Sequence, residues 1–179
     1  MNTAQLTIRE ACPEDIRAIM PVLEAARGIM RASGNPLQWN DGYPSEAVIR
    51  EDMARKAGYV IRDGERLVAY FAFLPSPEPT YSAIYEGRWL DDVRPYHVIH
   101  RIASLPEAHG IFRAIIDWCA AREGNLRIDT HRDNRIMQHC ILTSGFRYCG
   151  IIHLADGDER LAYQRMIPKA GEGPGGRRG

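Results

Sequence analysis

The sequence predicts a single α/β domain (α+β with a mixed sheet), and three observations support this. From His97 to Phe146 the chain has the pattern of a strand, a tight turn ending at Gly110, an amphipathic helix, a strand and a helix. Asp63-Gly64 between two apolar runs is the pattern of a β-hairpin. The 179 residues, 45% hydrophobic and 26% charged, are ordinary for one compact soluble domain.

The first half of the chain is predicted to form a strand, two helices and the hairpin. The first helix begins at Cys12-Pro13, with acidic residues near its positive end, and ends before Gly34. The second helix begins at Pro44-Ser45. The expected strands cover residues 6–9, 58–61 and 67–74.

The second half alternates strands and helices. Apolar residues between Ile111 and Cys119 recur at three- and four-residue spacing, which predicts a helix that ends by Gly124. Asn134 is expected to open the last helix. Strands are expected at residues 97–104, 126–130, 146–154 and 160–166. The domain is predicted to cover residues 1–168, with residues 169–179 as a disordered Gly-rich tail.

The turn before the third helix is a candidate anion site. The first N–H groups of a helix have no partner within it, and a glycine at Gly110 lets a ligand approach them closely. Main chain and helix dipole would then hold a phosphate.

At these residues the chain resembles the GNAT superfamily of N-acetyltransferases. The family's pyrophosphate loop usually reads Arg/Gln-x-x-Gly-x-Gly/Ala, and the register set by the helix puts Gly110 on the first glycine. Glu107 and Phe112 then depart from the basic and the small position. Asn134 and Gly145-Phe146 follow at the family's spacing, and the resemblance covers roughly residues 6–168.

The resemblance implies acetyl-CoA as co-substrate and an amine acceptor. The residues expected to bind the cofactor lie on the fourth strand, the turn and the two following helix starts: Ile102, Ala103, Ser104, His109, Gly110, Ile111, Phe112, Arg113 and Asn134. Aromatic residues of two loops are the expected acceptor-binding residues: Trp39, Tyr43, Tyr81 and Trp89.

The proton-transfer groups are harder to assign. Many family members use a tyrosine seven residues after the asparagine to protonate the leaving thiolate, but this position is Ile141. By placement on or beside strands that flank the cleft, His100, His131 and Tyr163 are the candidate catalytic residues, and Asp129 is a further alternative.

We therefore expect transfer of an acetyl or other small acyl group to a primary amine of a small molecule or peptide, directly in a ternary complex. The alternative is a non-catalytic acyl-CoA-binding or sensing domain, which the departures at Glu107, Phe112 and Ile141 favour. With 23 basic and 23 acidic residues, no nucleic acid or membrane partner is expected. No metal is expected, the unpaired cysteine pattern indicates the cytoplasm, and a homodimer is left open.

Overall fold

The computed structural model describes residues 5–40 and 42–168, and a seven-stranded mixed sheet forms its centre. The strands are β1 (Leu6–Glu10), β2 (Gly58–Asp63), β3 (Arg66–Pro75), β4 (His97–Ser104), β5 (Asn125–Thr130), β6 (Arg147–His153) and β7 (Glu159–Met166). Their order is β1-β2-β3-β4-β5-β7-β6. β4 and β5 pair in parallel and the other neighbours pair antiparallel, which confirms the predicted mixed sheet.

Four α-helices cover the sheet at the positions that the sequence predicts. They are α1 (Ile16–Ala32), α2 (Glu46–Ala54), α3 (Ile111–Ala120) and α4 (Arg135–Thr143), with short 3-10 helices at Pro13–Asp15 and Pro79–Tyr81. Ser45 caps α2, since its hydroxyl accepts a hydrogen bond from the Val48 N–H at 3.3 Å. The observed ends of the predicted elements shift by a few residues at most.

The helices pack on both faces of the sheet and bury two apolar clusters. On one face, α1 and α2 place Ile19, Leu23 and Ile49 against the sheet. On the other face, α3 and α4 contribute Ile115 and Ile141, both fully buried. Ile141 is thus a core residue, as its apolar neighbours on α4 suggest.

β4 separates from β5 soon after the two strands meet. Their parallel register covers only the pairs His97–Leu126 and Val98–Arg127. On its other edge, β4 has a bulge against β3 at Arg101, whose φ of 54° lies in the left-handed region. A bulge bends its strand, so a cleft opens between β4 and β5 beyond the second pair.

A buried ion pair holds this bulge. The Arg101 guanidinium donates to both carboxylate oxygens of Asp52 on α2, at 2.8 and 2.5 Å, and the Tyr70 hydroxyl donates to the same carboxylate at 2.6 Å. Asp52 is only 2% exposed. Burial lowers the pKa of Arg101, but the hydrogen bonds and charges of Asp52 and Tyr43 together outweigh it and raise the pKa, so the guanidinium stays charged.

The predicted tail at residues 169–179 lies outside the described residues. Within residues 5–40 and 42–168, no helix is long and apolar enough to cross a membrane. The same residues contain no group of three or more His, Cys, Asp or Glu side chains that could hold a metal ion.

Candidate functional site

The cleft between β4 and β5 contains two adjoining cavities. The smaller, of about 210 Å³, lies between β4 and α4 and reaches the start of α3. The larger, of about 460 Å³, lies over the cleft floor and under the loop between α1 and α2. Four side chains line both cavities: Met30, Ile102, Asn134 and Met137. One ligand can therefore extend from the smaller cavity into the larger.

The smaller cavity brings together most of the predicted cofactor residues. Ile102, Ala103 and Ser104 of β4 form one side, and Ile111 and Phe112 of α3 close one end. The wall is mostly apolar, and the backbone of β4 beyond Val98 is not paired with β5. This suits a narrow chain that carries a few amide groups.

The start of α3 lies at the far end of this cavity. Gly110 precedes the helix with a φ of 72°, which favours glycine, and a Cβ there would meet no atom within 4 Å. The Ala114 N–H donates to the Gly110 carbonyl at 3.0 Å, so the N–H groups before it remain without a helical acceptor. His109 and Arg113 flank this turn in exposed positions, and Arg113 lies 3.6 Å from Asp117. The turn can hold an anion.

At the loop position where the family usually has Arg or Gln, this chain has Glu107, which forms an ion pair with Arg66. Glu107 is exposed and accepts a hydrogen bond from Arg66 of β3 at 2.5 Å. That pair neutralises the carboxylate, and both groups lie on the surface. Phe112, at the family's small position, is half-buried against the core and forms part of the cavity wall.

The loop between α1 and α2, described for residues 33–40 and 42–45, covers the larger cavity and is called the roof loop. Trp39 and Tyr43 line this cavity, with ring centroids 6.4 Å apart and nearly perpendicular rings. Trp39 is only 8% exposed, whereas Tyr43 is 39% exposed. The Tyr43 hydroxyl accepts a hydrogen bond from Arg101 at 3.1 Å, which ties the roof to the β4 bulge.

His100 lies in the larger cavity between two carboxylates. Its Nε2 is 3.4 Å from Glu78 Oε2, and its Nδ1 is 3.7 Å from Asp129 Oδ2. Burial by itself raises the pKa of Glu78, but hydrogen bonds with His100 and Thr80 outweigh it and lower the pKa to about 2. Glu78 is thus a carboxylate at any ordinary pH.

Tyr81 fixes the second carboxylate. Its hydroxyl donates to Asp129 Oδ2 at 2.6 Å, and burial together with the Asp129 charge raises the pKa of Tyr81 well above its usual value. The hydroxyl therefore stays protonated and remains a donor. Asp129, which also lines the larger cavity, is held as a hydrogen-bond acceptor beside His100.

His131 and Tyr163 lie elsewhere. His131 follows β5, is 5% exposed, and its Nδ1 accepts a hydrogen bond from the Asp133 N–H at 3.1 Å. Burial lowers its pKa, which favours the neutral ring. Tyr163 is buried in the core, and its ring packs against Tyr148 with centroids 5.6 Å apart. Of the three candidate catalytic residues, all within the described chain, His100 is the one that lines either cavity.

The other two predicted aromatic residues support the site from behind. Tyr81 is 1% exposed and Trp89 is 6% exposed. The Trp89 indole N–H donates to the Tyr81 carbonyl at 3.3 Å, and the buried Arg127 guanidinium lies 3.9 Å from the Trp89 ring centroid. Tyr81 reaches the cleft through Asp129, whereas Trp89 borders a shallow surface pocket near β6.

Sequence reasoning missed Asp52 and Glu78, and also Gln38, which lines the larger cavity. Asp52 had a signal, because it lies three residues after Ile49 on the apolar side of α2, where a carboxylate needs a partner. Glu78 and Gln38 are in loops, and no local pattern distinguishes them from surface residues.

No protein-family model and no curated protein matches the chain, but solved structures do. A GNAT-family acetyltransferase from Streptococcus agalactiae is 35% identical, covers 92% of this chain and 96% of its own, and has a TM-score of 0.81. A GNAT-family acetyltransferase from Listeria monocytogenes is 16% identical over 93% and 97%, with a TM-score of 0.69.

The ribosomal-protein-S18-alanine N-acetyltransferase from Escherichia coli is also 16% identical, over 94% of this chain and 97% of its own, with a TM-score of 0.61. At this identity, the Listeria and Escherichia structures show a shared fold alone. The similarity to the Streptococcus structure extends to the sequence over nearly the whole of both chains.

Proposed function

Because this chain belongs to the GNAT family of acetyltransferases, we propose that it transfers the acetyl group of acetyl-CoA to a primary amine of a small molecule or peptide. Transfer would be direct, in a ternary complex. The observation that carries this proposal is the continuous cleft from the start of α3 to His100, since it offers separate places for a cofactor and an acceptor.

The cofactor would lie in the smaller cavity. Its pyrophosphate would meet the free N–H groups at the start of α3, where the helix dipole favours an anion. Its pantetheine arm would pass along Ile102 to Ser104, where β4 has separated from β5. The acyl end would then reach the larger cavity beside Asn134, which lines both cavities.

Asn134 would help to position the pantetheine arm in the cleft. Its Oδ1 accepts a hydrogen bond from the Met137 N–H at 3.1 Å, and its Nδ2 donates to Gln38 at 2.8 Å. These bonds cap α4 and hold the roof loop, and the second N–H of Nδ2 would be left to contact the arm.

His100 would take the proton from the attacking amine. An amine with an ordinary pKa of about 10.4 is almost wholly protonated at neutral pH and must lose a proton before it attacks a thioester. Asp129 would attract the ammonium group, His100 Nδ1 would accept the proton, and Glu78 would stabilise the resulting imidazolium. A water molecule would protonate the leaving thiolate, because Ile141 is buried in the core.

The direct test is an assay of CoA release from acetyl-CoA over a panel of primary amines, amino acids and short peptides. We expect release that depends on one class of amine and a mass increase of one acetyl group on that amine. Acetyl-CoA binding without turnover of any amine in the panel would instead favour the acyl-CoA-sensing alternative.

Gly110→Glu is expected to weaken CoA binding by about tenfold to a hundredfold, because it places a negative charge where the pyrophosphate would lie. Isothermal calorimetry gives the dissociation constant. Gly64→Glu is the matched control: Gly64 also has a positive φ and no atom within 4 Å of a built Cβ, but it lies in the β2–β3 turn. Both variants carry a similar backbone cost of about 1–2 kcal/mol. Equal CoA affinity in the two variants would contradict the pyrophosphate assignment.

Tyr43→Ala is expected to raise the acceptor KM about tenfold and to leave the acetyl-CoA dissociation constant nearly unchanged. Tyr43 lines the larger cavity but not the smaller one. An aromatic contact of ~1.5 kcal/mol corresponds to roughly a tenfold change in affinity. Tyr85→Ala is the control, since Tyr85 is similarly exposed and stacks on His153 by β6. Parallel weakening of acetyl-CoA binding by Tyr43→Ala would remove Tyr43 from the acceptor site.

A further inference from the structure

The roof loop is joined to the cofactor side of the cleft by one amide side chain. Gln38 Oε1 accepts hydrogen bonds from Asn35 Nδ2 at 2.9 Å, from Asn134 Nδ2 at 2.8 Å and from Thr130 Oγ1 at 3.4 Å. The donors come from the loop after α1, the cap of α4 and the end of β5. The backbone carbonyl of Gln38 also accepts a hydrogen bond from the buried Arg160 at 3.3 Å.

The backbone fixes the orientation of this amide. The Met137 N–H can only donate, so the atom of Asn134 that faces it is Oδ1. Asn134 Nδ2 therefore faces Gln38, and Gln38 must present its oxygen there. The two N–H bonds of Gln38 Nε2 remain, and they have no acceptor within residues 5–40 and 42–168.

The free amide lies where the two cavities meet. Gln38 is half-buried and lines the larger cavity, and its partner Asn134 lines both. An N–H group at this place can serve only an acceptor atom, which excludes the ammonium group of the amine substrate. The thioester carbonyl of the cofactor is such an acceptor, and it gains negative charge when the amine attacks.

We propose that Gln38 Nε2 donates a hydrogen bond to the acyl carbonyl oxygen of acetyl-CoA, which makes Gln38 a catalytic residue. This inference rests on the proposed function. The amine nitrogen forms a bond to the carbonyl carbon, the carbonyl π electrons move to the oxygen that Gln38 stabilises, and collapse then breaks the C–S bond and releases thiolate. His100 accepts the ammonium proton before the attack, and the second proton leaves the nitrogen of the tetrahedral intermediate and reaches the thiolate through a water molecule, so that the products are the amide and the CoA thiol. Gln38 gains and loses no atom.

Gln38→Glu separates this role from a structural one. A carboxylate still accepts the three hydrogen bonds that hold the loop, but it has no donor for the acyl oxygen. Calorimetry with acetyl-CoA and with free CoA is the key measurement, since the two ligands carry the same phosphates and only acetyl-CoA has the carbonyl. We expect the dissociation constant of acetyl-CoA, divided by that of CoA, to rise about five- to tenfold. We also expect kcat to fall about a hundredfold.

Asn40→Asp is the matched control, because Asn40 lies two residues further on the same loop and lines the same cavity. It introduces the same charge and should leave the ratio unchanged. Gln38→Met, which removes donor and acceptor together, should raise the ratio as well and also lower the melting temperature, as Gln38→Glu should not.

Two results would overturn the inference and leave the proposed function standing. One is a wild-type ratio in Gln38→Glu with kcat within twofold of wild type, and the other is an equal rise of the ratio in Asn40→Asp. If the unmodified protein binds neither acetyl-CoA nor CoA, the proposed function fails and the inference fails with it.

Discussion

His100→Gln is expected to lower kcat/KM for the amine about 10²- to 10⁴-fold, the usual contribution of a positioned general base. Glutamine keeps a polar side chain in the cavity but cannot accept the proton at neutral pH. Glu78 and Asp129, at 3.4 and 3.7 Å from the ring, would then have no imidazolium to stabilise. Steady-state kinetics at saturating acetyl-CoA gives the number.

The control for this variant is His153→Gln. His153 is exposed on β6, stacks on Tyr85 and lies 3.7 Å from Glu159, away from both cavities. Its substitution should leave turnover and the melting temperature close to those of the unmodified protein. Near-normal turnover in His100→Gln, with normal folding, would move the role of base to Asp129.

Asp52→Asn is expected to lower the free energy of unfolding by about 3–5 kcal/mol, because it leaves the Arg101 guanidinium buried without a counter-charge. The Tyr70 hydroxyl also loses its charged acceptor. Since Arg101 is the bulge residue with positive φ, the shape of the cleft depends on the same pair. Urea unfolding at neutral pH measures the change.

The matched control lies on the same helix. Glu46 and Arg50 of α2 form an ion pair at 2.8 Å, and both side chains are at least half exposed. Glu46→Gln should therefore change the unfolding free energy by less than about 1 kcal/mol. If Asp52→Asn unfolds at the same urea concentration as Glu46→Gln, the buried pair does not hold the bulge.

The sequence predicted the elements and the family because both are encoded in local patterns. The β-branched content of 97–104, three- and four-residue spacing from Ile111, and Gly110 before the helix each involve near neighbours, and the structure confirms the strand, the helix and the turn that they predict. The fold and the GNAT relationship follow from the order of such patterns. The burial of Ile141 was equally visible in its apolar neighbours.

The roles of the proton-transfer groups could not be predicted from such local patterns. His100, His131 and Tyr163 are all on or directly after predicted strands, and their sequence context is similar. The alternation of a strand says that successive side chains face opposite sides, but not which side lines a cavity. Only packing shows that Tyr163 lies in the core and that His100 lies between Glu78 and Asp129.

The sequence by itself thus determined the order of helices and strands, the likeness to GNAT enzymes and the turn at Gly110. The tertiary structure alone decided the Asp52–Arg101 pair and the convergence of Gln38 with Thr130 and Asn134, residues 92 and 96 positions away. The physical reason is that short-range periodicity fixes each element, whereas contacts over such separations depend on how the elements pair and pack. Here they depend on β4 diverging from β5 and on the roof loop closing over the gap.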